Sequence, residues 1–121
     1  MPGKIPCCCA SAGLYLPFMD KLRVIAWSSD RPPAMQELQI LMEQEGLHPY
    51  SWSNAPGDIY LAHTHAYHKV IYVARGSITW IIGENDEEYE THPGDRVELP
   101  RGTLHAARVG SQGVTCLEAH L

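Results

Sequence analysis

Histidine is the residue type in this chain whose number and spacing point to chemistry. Seven histidines occur in 121 residues, and six of them lie after Tyr60. His63 and His65 are two positions apart, so in a β-strand both imidazoles leave the same face. Two imidazoles on one face make half of a metal site, and His105 is the candidate for the third ligand. Three neutral nitrogen ligands suit a divalent Fe, Zn, Mn, Ni or Cu ion.

The part of the chain that carries these histidines has a residue pattern typical of β-strands. Short runs rich in Val, Ile, Tyr, Trp and Thr are separated by turn residues, such as Arg75-Gly76 and Gly110–Gly113,. Many short strands at this spacing are typical of an antiparallel sandwich or barrel. We predict strands at Leu22–Trp27, His48–Trp52, Ile59–His63, Lys69–Ala74, Ser77–Ile82, Glu87–Thr91, Arg96–Leu99, His105–Val109 and Gly113–Ala119.

One segment reads as a helix. The residues from Ala34 to Glu45 carry apolar side chains that partly fit a helical stripe,. Pro33 comes just before this segment and Gly46 just after it, which are the expected start and stop signals. The sequence therefore predicts one short helix between the first strand and the others.

Two spaced motifs connect the histidines with a known family. The first is Gly57-x5-His63-x-His65-x3-Lys69-x6-Gly76, and the second is Gly94-x5-Pro100-x-Gly102-x2-His105-x3-Val109, with 17 residues between them. Eight of these ten positions carry the residue of the two cupin motifs, so the chain resembles a small single-domain cupin of the RmlC-like superfamily. The resemblance implies an all-β fold, the double-stranded β-helix or jelly-roll barrel, with one short N-terminal helix. It also implies that His63, His65 and His105 bind a divalent metal.

The first motif departs from the family at Lys69, where cupins carry a ligating Glu. A protonated lysine has three donors and no acceptor, so it cannot bind a cation. Three arrangements remain open. The metal is held by three histidines with free coordination positions, as in cupins that resemble thiol and diketone-cleaving dioxygenases; or Lys69 points away and His68 or a water takes the fourth place; or the site no longer binds metal usefully.

Charge favours one class of ligand. Three neutral imidazoles leave the double charge of a metal ion uncompensated, and Lys69, where near, adds a further positive charge. A small anionic molecule is therefore the expected ligand. Four aromatic residues are candidates for lining its pocket, although at strand spacing such residues are usually core: Tyr60, Tyr67, Tyr72 and Trp80. Glu98 stands two residues before Pro100 and is left open as facing either side of its strand.

Composition excludes several classes of protein. Nine basic and fourteen acidic residues give a formal net charge of −5, and no basic run occurs, so a nucleic-acid partner is not expected,. No uncharged apolar stretch is long enough to span a membrane. Cys7, Cys8 and Cys9 are adjacent and lack metal-ligand spacing, and Cys116 reads as a small core residue,. This cysteine usage favours a cytoplasmic protein.

Residues 1–18 stand apart from the rest. Their apolar run is broken by Pro6, Gly13 and Pro17, which does not suit a secretory signal, so we expect a poorly ordered extension before a cupin domain at 19–121,. Because the segments around Val70–Val73 and Ile78–Ile82 read as apolar on both faces, we also expect a homodimer.

Two hypotheses of function follow. One is a metal-dependent oxygenase or isomerase that acts on a small anionic molecule. The other is a non-catalytic binding or regulatory barrel with a weak or empty metal site. No general acid or base stands out at motif spacing, so the sequence does not decide between them.

Overall fold

The computed structural model describes residues 21–121. The expected extension at 1–18 and its three cysteines lie outside the described residues. The described chain forms β1 (Arg23–Ile25), α1 (Met35–Gln44), β2 (Tyr50–Asn54), β3 (Ile59–His63), β4 (Lys69–Ile82), β5 (Glu87–Thr91), β6 (Arg96–Leu99) and β7 (His105–His120). The predicted fold class, a mostly antiparallel β-structure with one short helix, is confirmed.

Two long strands organise the sheet. β4 pairs with β5, β6 and β7, and β7 pairs in addition with β2 and β3, all antiparallel. The hydrogen-bonded path runs β1-β6-β4-β7-β2. This pairing brings the beginning of β7 next to the end of β3, although the two segments are distant in sequence.

Each long strand was predicted as two strands joined by a turn, and those two turns were wrong. The ladder between β4 and β7 instead continues through register shifts at Val73/Arg75 and Gly76/Ile78. Gly76 and Gly113 have φ of 74° and 77°, and a Cβ on Gly76 would come within 1.9 Å of the Gly113 carbonyl oxygen. Glycine therefore bends both strands at a close backbone approach without reversing the chain.

Smaller differences affect the ends of elements. β2 begins at Tyr50, two residues later than predicted, and β1 keeps only Arg23–Ile25 of the expected Leu22–Trp27. The helix matches its prediction to within one residue at each end. Deviations of this size are usual because the terminal hydrogen bonds of an element are weak.

The two faces of the sheet bury separate apolar clusters. One fills the inside of the barrel and includes Ile71, Val73 and Cys116, so the prediction of Cys116 as a core residue is confirmed. The other packs Leu38 and Met42 of α1 against the outer face of β4. The helix thus covers the part of β4 that the sequence left without a partner. Among residues 21–121, no helix is long and apolar enough to cross a membrane.

Candidate metal centre

Three histidines meet at one mouth of the barrel. His63 ends β3 and is the register partner of His105, the first residue of β7, while His105 also pairs with Ile82 of β4. His65 follows two residues after His63, beyond the end of the strand. The centroids of the three rings are 4.4–5.2 Å apart. Sheet pairing therefore assembles what the two motifs separate by forty residues.

The ligand atoms of this three-histidine cluster lie within 4.8 Å of one another, and Nε2 of His63 is 3.0 Å from Nε2 of His65. Two nitrogens that are each about 2.1 Å from one ion, at right angles, lie about 3.0 Å apart. Among the described residues, this is the group whose arrangement could hold a metal ion. The cluster is consistent with a metal site.

Backbone carbonyls fix two of the imidazoles in the form a metal needs. Nδ1 of His63 donates to the carbonyl of Leu61 at 2.6 Å, and Nδ1 of His105 donates to that of Thr103 at 2.8 Å. A carbonyl can only accept, so each Nδ1 carries the proton and each Nε2 keeps its lone pair. Second-shell bonds of this kind orient ligating histidines in metalloproteins.

The surroundings keep two of the rings neutral. The pKa of His105 falls from 6.5 to about 4, mainly because the ring is buried, and the carbonyl of Thr103 opposes this shift. Nearby His63 and Lys69 add to the lowering. The pKa of His65 is also lowered, first by burial and then by Lys69. Neutral imidazoles are the form that binds a metal.

Lys69, the departure from the motif, points into the same cavity. It begins β4, its side chain is 13% exposed, and its Nζ lies 3.3 Å from Oε2 of Glu118 on β7. The arrangement in which Lys69 points away and His68 replaces it does not match this geometry. Nδ1 of His68 instead accepts the backbone N–H of Arg101 at 3.0 Å.

Glu118 is the site residue that the sequence reasoning missed. It is 3% exposed, and Oε2 accepts from Tyr50 Oη at 2.9 Å and from His120 Nε2 at 2.6 Å, while Oε1 accepts from Trp52 Nε1 at 3.0 Å. Burial alone would raise its pKa, but the contacts with His120, Lys69 and Tyr50 hold the pKa below its usual value. A signal was present, since Glu118 shares strand parity with the core residue Cys116.

The histidines and Lys69 line a cavity of about 360 Å³. Among the described residues that line it, Glu118 is the one carboxylate. Five aromatic side chains form much of the remaining wall: Tyr50, Trp52, Tyr60, Tyr67 and Trp80. The cavity therefore combines a metal-binding corner, an ion pair and an aromatic surface.

The prediction that Tyr72 lines the pocket was wrong. Its side chain lies on the opposite face of β4, in the apolar cluster beneath α1, and its hydroxyl accepts from Arg96 at 3.1 Å. Tyr72 is three positions after Lys69, so alternation along the strand sends the two side chains to opposite faces. Glu98 also lies on the helix side, paired with Arg96 at 2.8 Å. His92 is exposed, beside Glu90, as expected for a turn.

The model of the cupin domain family matches residues 51–118. A search of curated proteins found no match. Solved structures share the fold. The DMSP lyase DddQ from Ruegeria pomeroyi aligns with a TM-score of 0.55 at 24% identity, over 61% of this chain and 37% of that chain. An RmlC-like cupin from Shewanella frigidimarina gives 0.53 at 19% identity, over 61% and 64%.

A DUF861 family protein from Thermotoga maritima aligns over more of the chain, with a TM-score of 0.55 at 15% identity, covering 84% of this chain and all of that one. Identities this low show a shared fold and nothing about substrates. The family match is stronger evidence, because it spans more than half of the 121 residues and contains the histidines of both motifs, His63 and His65 of the first and His105 of the second. This chain belongs to the cupin family.

Proposed function

We propose that this cupin binds a divalent metal through His63, His65 and His105, and that it is a metal-dependent oxygenase or isomerase acting on a small anionic molecule. The observation that carries the proposal is the convergence of the three ligand atoms, two of them on rings whose Nδ1 is held by a carbonyl. Three protein ligands leave coordination positions for a substrate, as catalytic sites require.

The donor set fits Fe, Zn, Mn, Ni or Cu. A divalent ion at this position would supply a Lewis acid that polarises a substrate oxygen. The chain's own residues do the rest. The three imidazoles hold the ion, and Leu61 and Thr103 orient two of the rings. The aromatic side chains supply an apolar surface for the rest of the ligand.

The expected preference for an anion rests on the metal alone. The charge of Lys69 is compensated by Glu118, 3.3 Å away, so Lys69 does not add the uncompensated positive charge that the sequence suggested. With three neutral imidazoles, the pocket carries only the charge of the ion. A small anion that binds at an open coordination position remains the ligand best matched to it.

A second candidate is a non-catalytic binding barrel. The observation that favours it is that Glu118 already accepts hydrogen bonds from several groups, so the one carboxylate of the cavity is occupied as an acceptor. A general base must be able to reach the proton that it removes. In this reading the barrel binds a small molecule without turnover, and its metal site is weak or empty.

Metal analysis of the purified protein, followed by oxygen uptake with a panel of thiols, diketones and keto acids, separates the candidates. The enzyme proposal expects near-stoichiometric metal and oxygen uptake, or isomerisation of a panel member followed by NMR. Bound metal without turnover on any member favours the binding barrel. Protein that takes up none of the five metals contradicts the enzyme proposal and favours the binding barrel with an empty site.

We also propose a homodimer. The outer face of the first half of β4 is covered by α1, so the candidate contact moves to β3, where Ile59 and Leu61 are 68% and 81% exposed. Within the described residues, β3 pairs with β7 alone. Sedimentation velocity at micromolar concentration should show a species of twice 13.5 kDa. A single 13.5 kDa species would contradict the dimer.

A further inference from the structure

We propose that Glu118 is the counter-charge that lets a lysine occupy the position of a metal-ligating carboxylate. The charge of the Lys69–Glu118 pair then controls two affinities of the site. A change that makes the pair more positive weakens metal binding and strengthens anion binding, and a change that makes it more negative does the reverse. This inference rests on the metal site proposed above and adds a residue outside the motifs to it.

The register places the two charges side by side on the inner face. Lys69 pairs with His120 and Ile71 pairs with Glu118 across β4 and β7, so Lys69 and Glu118 are diagonal neighbours. Their charged atoms are 3.3 Å apart, and their side chains are 13% and 4% exposed. An ion pair this sheltered is screened much less by salt than a surface pair.

Glu118 acts by charge and not as a ligand. Among residues 21–121, the group of ligand atoms within 4.8 Å of one another comprises the three histidines and not Glu118. The carboxylate oxygens of Glu118 are instead directed at Tyr50, Trp52, His120 and Lys69. These contacts fix the carboxylate in place and hold the ammonium group beside it. Glu118 is therefore a positioning residue that acts through Lys69.

The charge arithmetic gives definite signs. With neutral imidazoles, Lys69 and Glu118 together contribute no net charge to the cavity. Glu118→Gln leaves +1, which repels the incoming dication and attracts an anion toward the loaded site. Lys69→Met leaves −1, which does the reverse. A variant that weakens metal binding should therefore strengthen anion binding, and the double variant should resemble the wild type.

The test uses Co²⁺ as the metal and azide as the anion. Co²⁺ affinity is measured from visible absorption, and azide is then titrated into the Co²⁺-loaded protein. We expect Glu118→Gln to weaken Co²⁺ binding by about tenfold and to tighten azide binding by about tenfold, and Lys69→Met to do the opposite. The double variant should lie within about threefold of the wild type in both titrations.

A matched control is the exposed ion pair of Arg108 and Glu88, whose atoms are 3.1 Å apart. Glu88→Gln and Arg108→Met make the same charge changes at side chains that are about half exposed, and they should move neither affinity. If Glu118→Gln does not fold, Lys69→Met carries the test, because it leaves Glu118 its bonds from Tyr50, Trp52 and His120.

The outcomes separate this inference from the metal site. Loss of both affinities in Glu118→Gln, or no change in either affinity in Lys69→Met, would overturn the pair's role while leaving the metal site intact. Absence of Co²⁺ binding in the wild type and in Lys69→Met alike would overturn the metal site, and the pair's role with it. Opposite shifts in the two titrations support both.

Discussion

Two buried ion-pair clusters lie on opposite faces of the same sheet, and they differ in what surrounds them. On the helix side, the guanidinium of Arg96 donates to Glu45, Glu98 and Tyr72, with distances of 2.8–3.1 Å. Burial alone would lower the pKa of Arg96, but its bonds to Glu45 and Tyr72 raise it. On the cavity side, Glu118 is the central group, and it is an anion that accepts from four side chains.

The helix-side cluster ties a helix to the sheet. Arg96 is 6% exposed, begins strand β6 and holds Glu45, which follows the end of α1. The cavity that Arg96 and Tyr72 line is about 230 Å³, and no histidine is among the described residues around it. The cavity-side cluster borders open space of about 360 Å³ that also contains the three histidines. Lys69 has three donor hydrogens, and its ion pair with Glu118 engages one side of the ammonium. The comparison teaches that the role of a buried ion pair depends on its neighbours: the Arg96 cluster joins α1 to the sheet, while the Lys69–Glu118 pair lies beside the candidate metal ligands.

The largest expected effect is the loss of metal on removal of a ligand. His105→Ala should weaken metal binding by about a hundredfold or more, because two remaining imidazoles leave the ion largely solvated. His63→Ala, at a less buried ring, should show a similar loss. Isothermal titration with Zn²⁺ measures it. His92→Ala, at an exposed ring beside Glu90, is the control and should bind as the wild type does. Equal affinity in all three variants would contradict the site.

Breaking the helix-side cluster should lower the stability of the protein without changing its metal affinity. Arg96→Met removes the buried cation that holds Glu45, Glu98 and Tyr72 together, and among the described residues it leaves the Glu98 carboxylate only its ion pair with the more exposed Arg23. The free energy of unfolding should fall by about 3 kcal/mol in urea titrations. Zn²⁺ affinity should stay within about twofold of the wild type, since Arg96 faces away from the cavity. A large loss of metal with an unchanged unfolding midpoint would reverse the distinction between the two clusters.

The pH dependence of the unfolding free energy of the metal-free protein should report the protonation of His105 in the cavity. The pKa of His105 is about 4 in the folded protein against 6.5 as the reference value, so the unfolded chain binds this proton more tightly. Its contribution to stability is therefore complete above pH 6.5 and is lost as the pH falls toward 4,. His105→Gln should flatten the unfolding free energy over that window. Identical slopes in the two proteins would contradict the assignment.

A gain in metal affinity is expected from restoring the motif. Lys69→Glu places a carboxylate where cupins carry a ligand and makes the pocket charge negative, so metal affinity should rise by at least the roughly tenfold expected for Lys69→Met. Any turnover that depends on open coordination positions should fall. The apo protein should also be less stable, because Glu118 loses its cation and gains a like charge. Unchanged Zn²⁺ affinity would show that a charge at position 69 does not reach the ion.

Much of the fold and the core of the site could be predicted from the sequence. The spacing of His63 and His65 predicted that the two rings lie together, and they do, although His65 follows the end of β3 and strand alternation is therefore not the reason. The second motif supplied His105. Two features were missed for physical reasons. Glycines at 76 and 113 look the same in sequence whether they reverse a chain or bend a strand, and only the pairing of β4 with β7 distinguishes these cases.

Glu118 was missed because its role depends on a partner in another strand. In the sequence it is one acidic residue in an apolar run. In the structure it lies on β7, which pairs with β4, and it forms an ion pair with Lys69. Tyr72 was misplaced for the converse reason, since an aromatic residue near a site reads alike on either face of a strand. Cross-strand partners are fixed by topology, and local patterns do not record them.

The central claim is that three imidazoles converge on one metal ion, and anomalous diffraction from crystals of the Zn²⁺-loaded protein tests it most directly. We predict one anomalous peak at the mouth of the barrel, about 2.0–2.1 Å from Nε2 of His63, His65 and His105. Neither Lys69 nor Glu118 should lie within bonding distance of it. A peak bound by other residues, or a cavity without a peak in crystals soaked with Zn²⁺, would contradict the account.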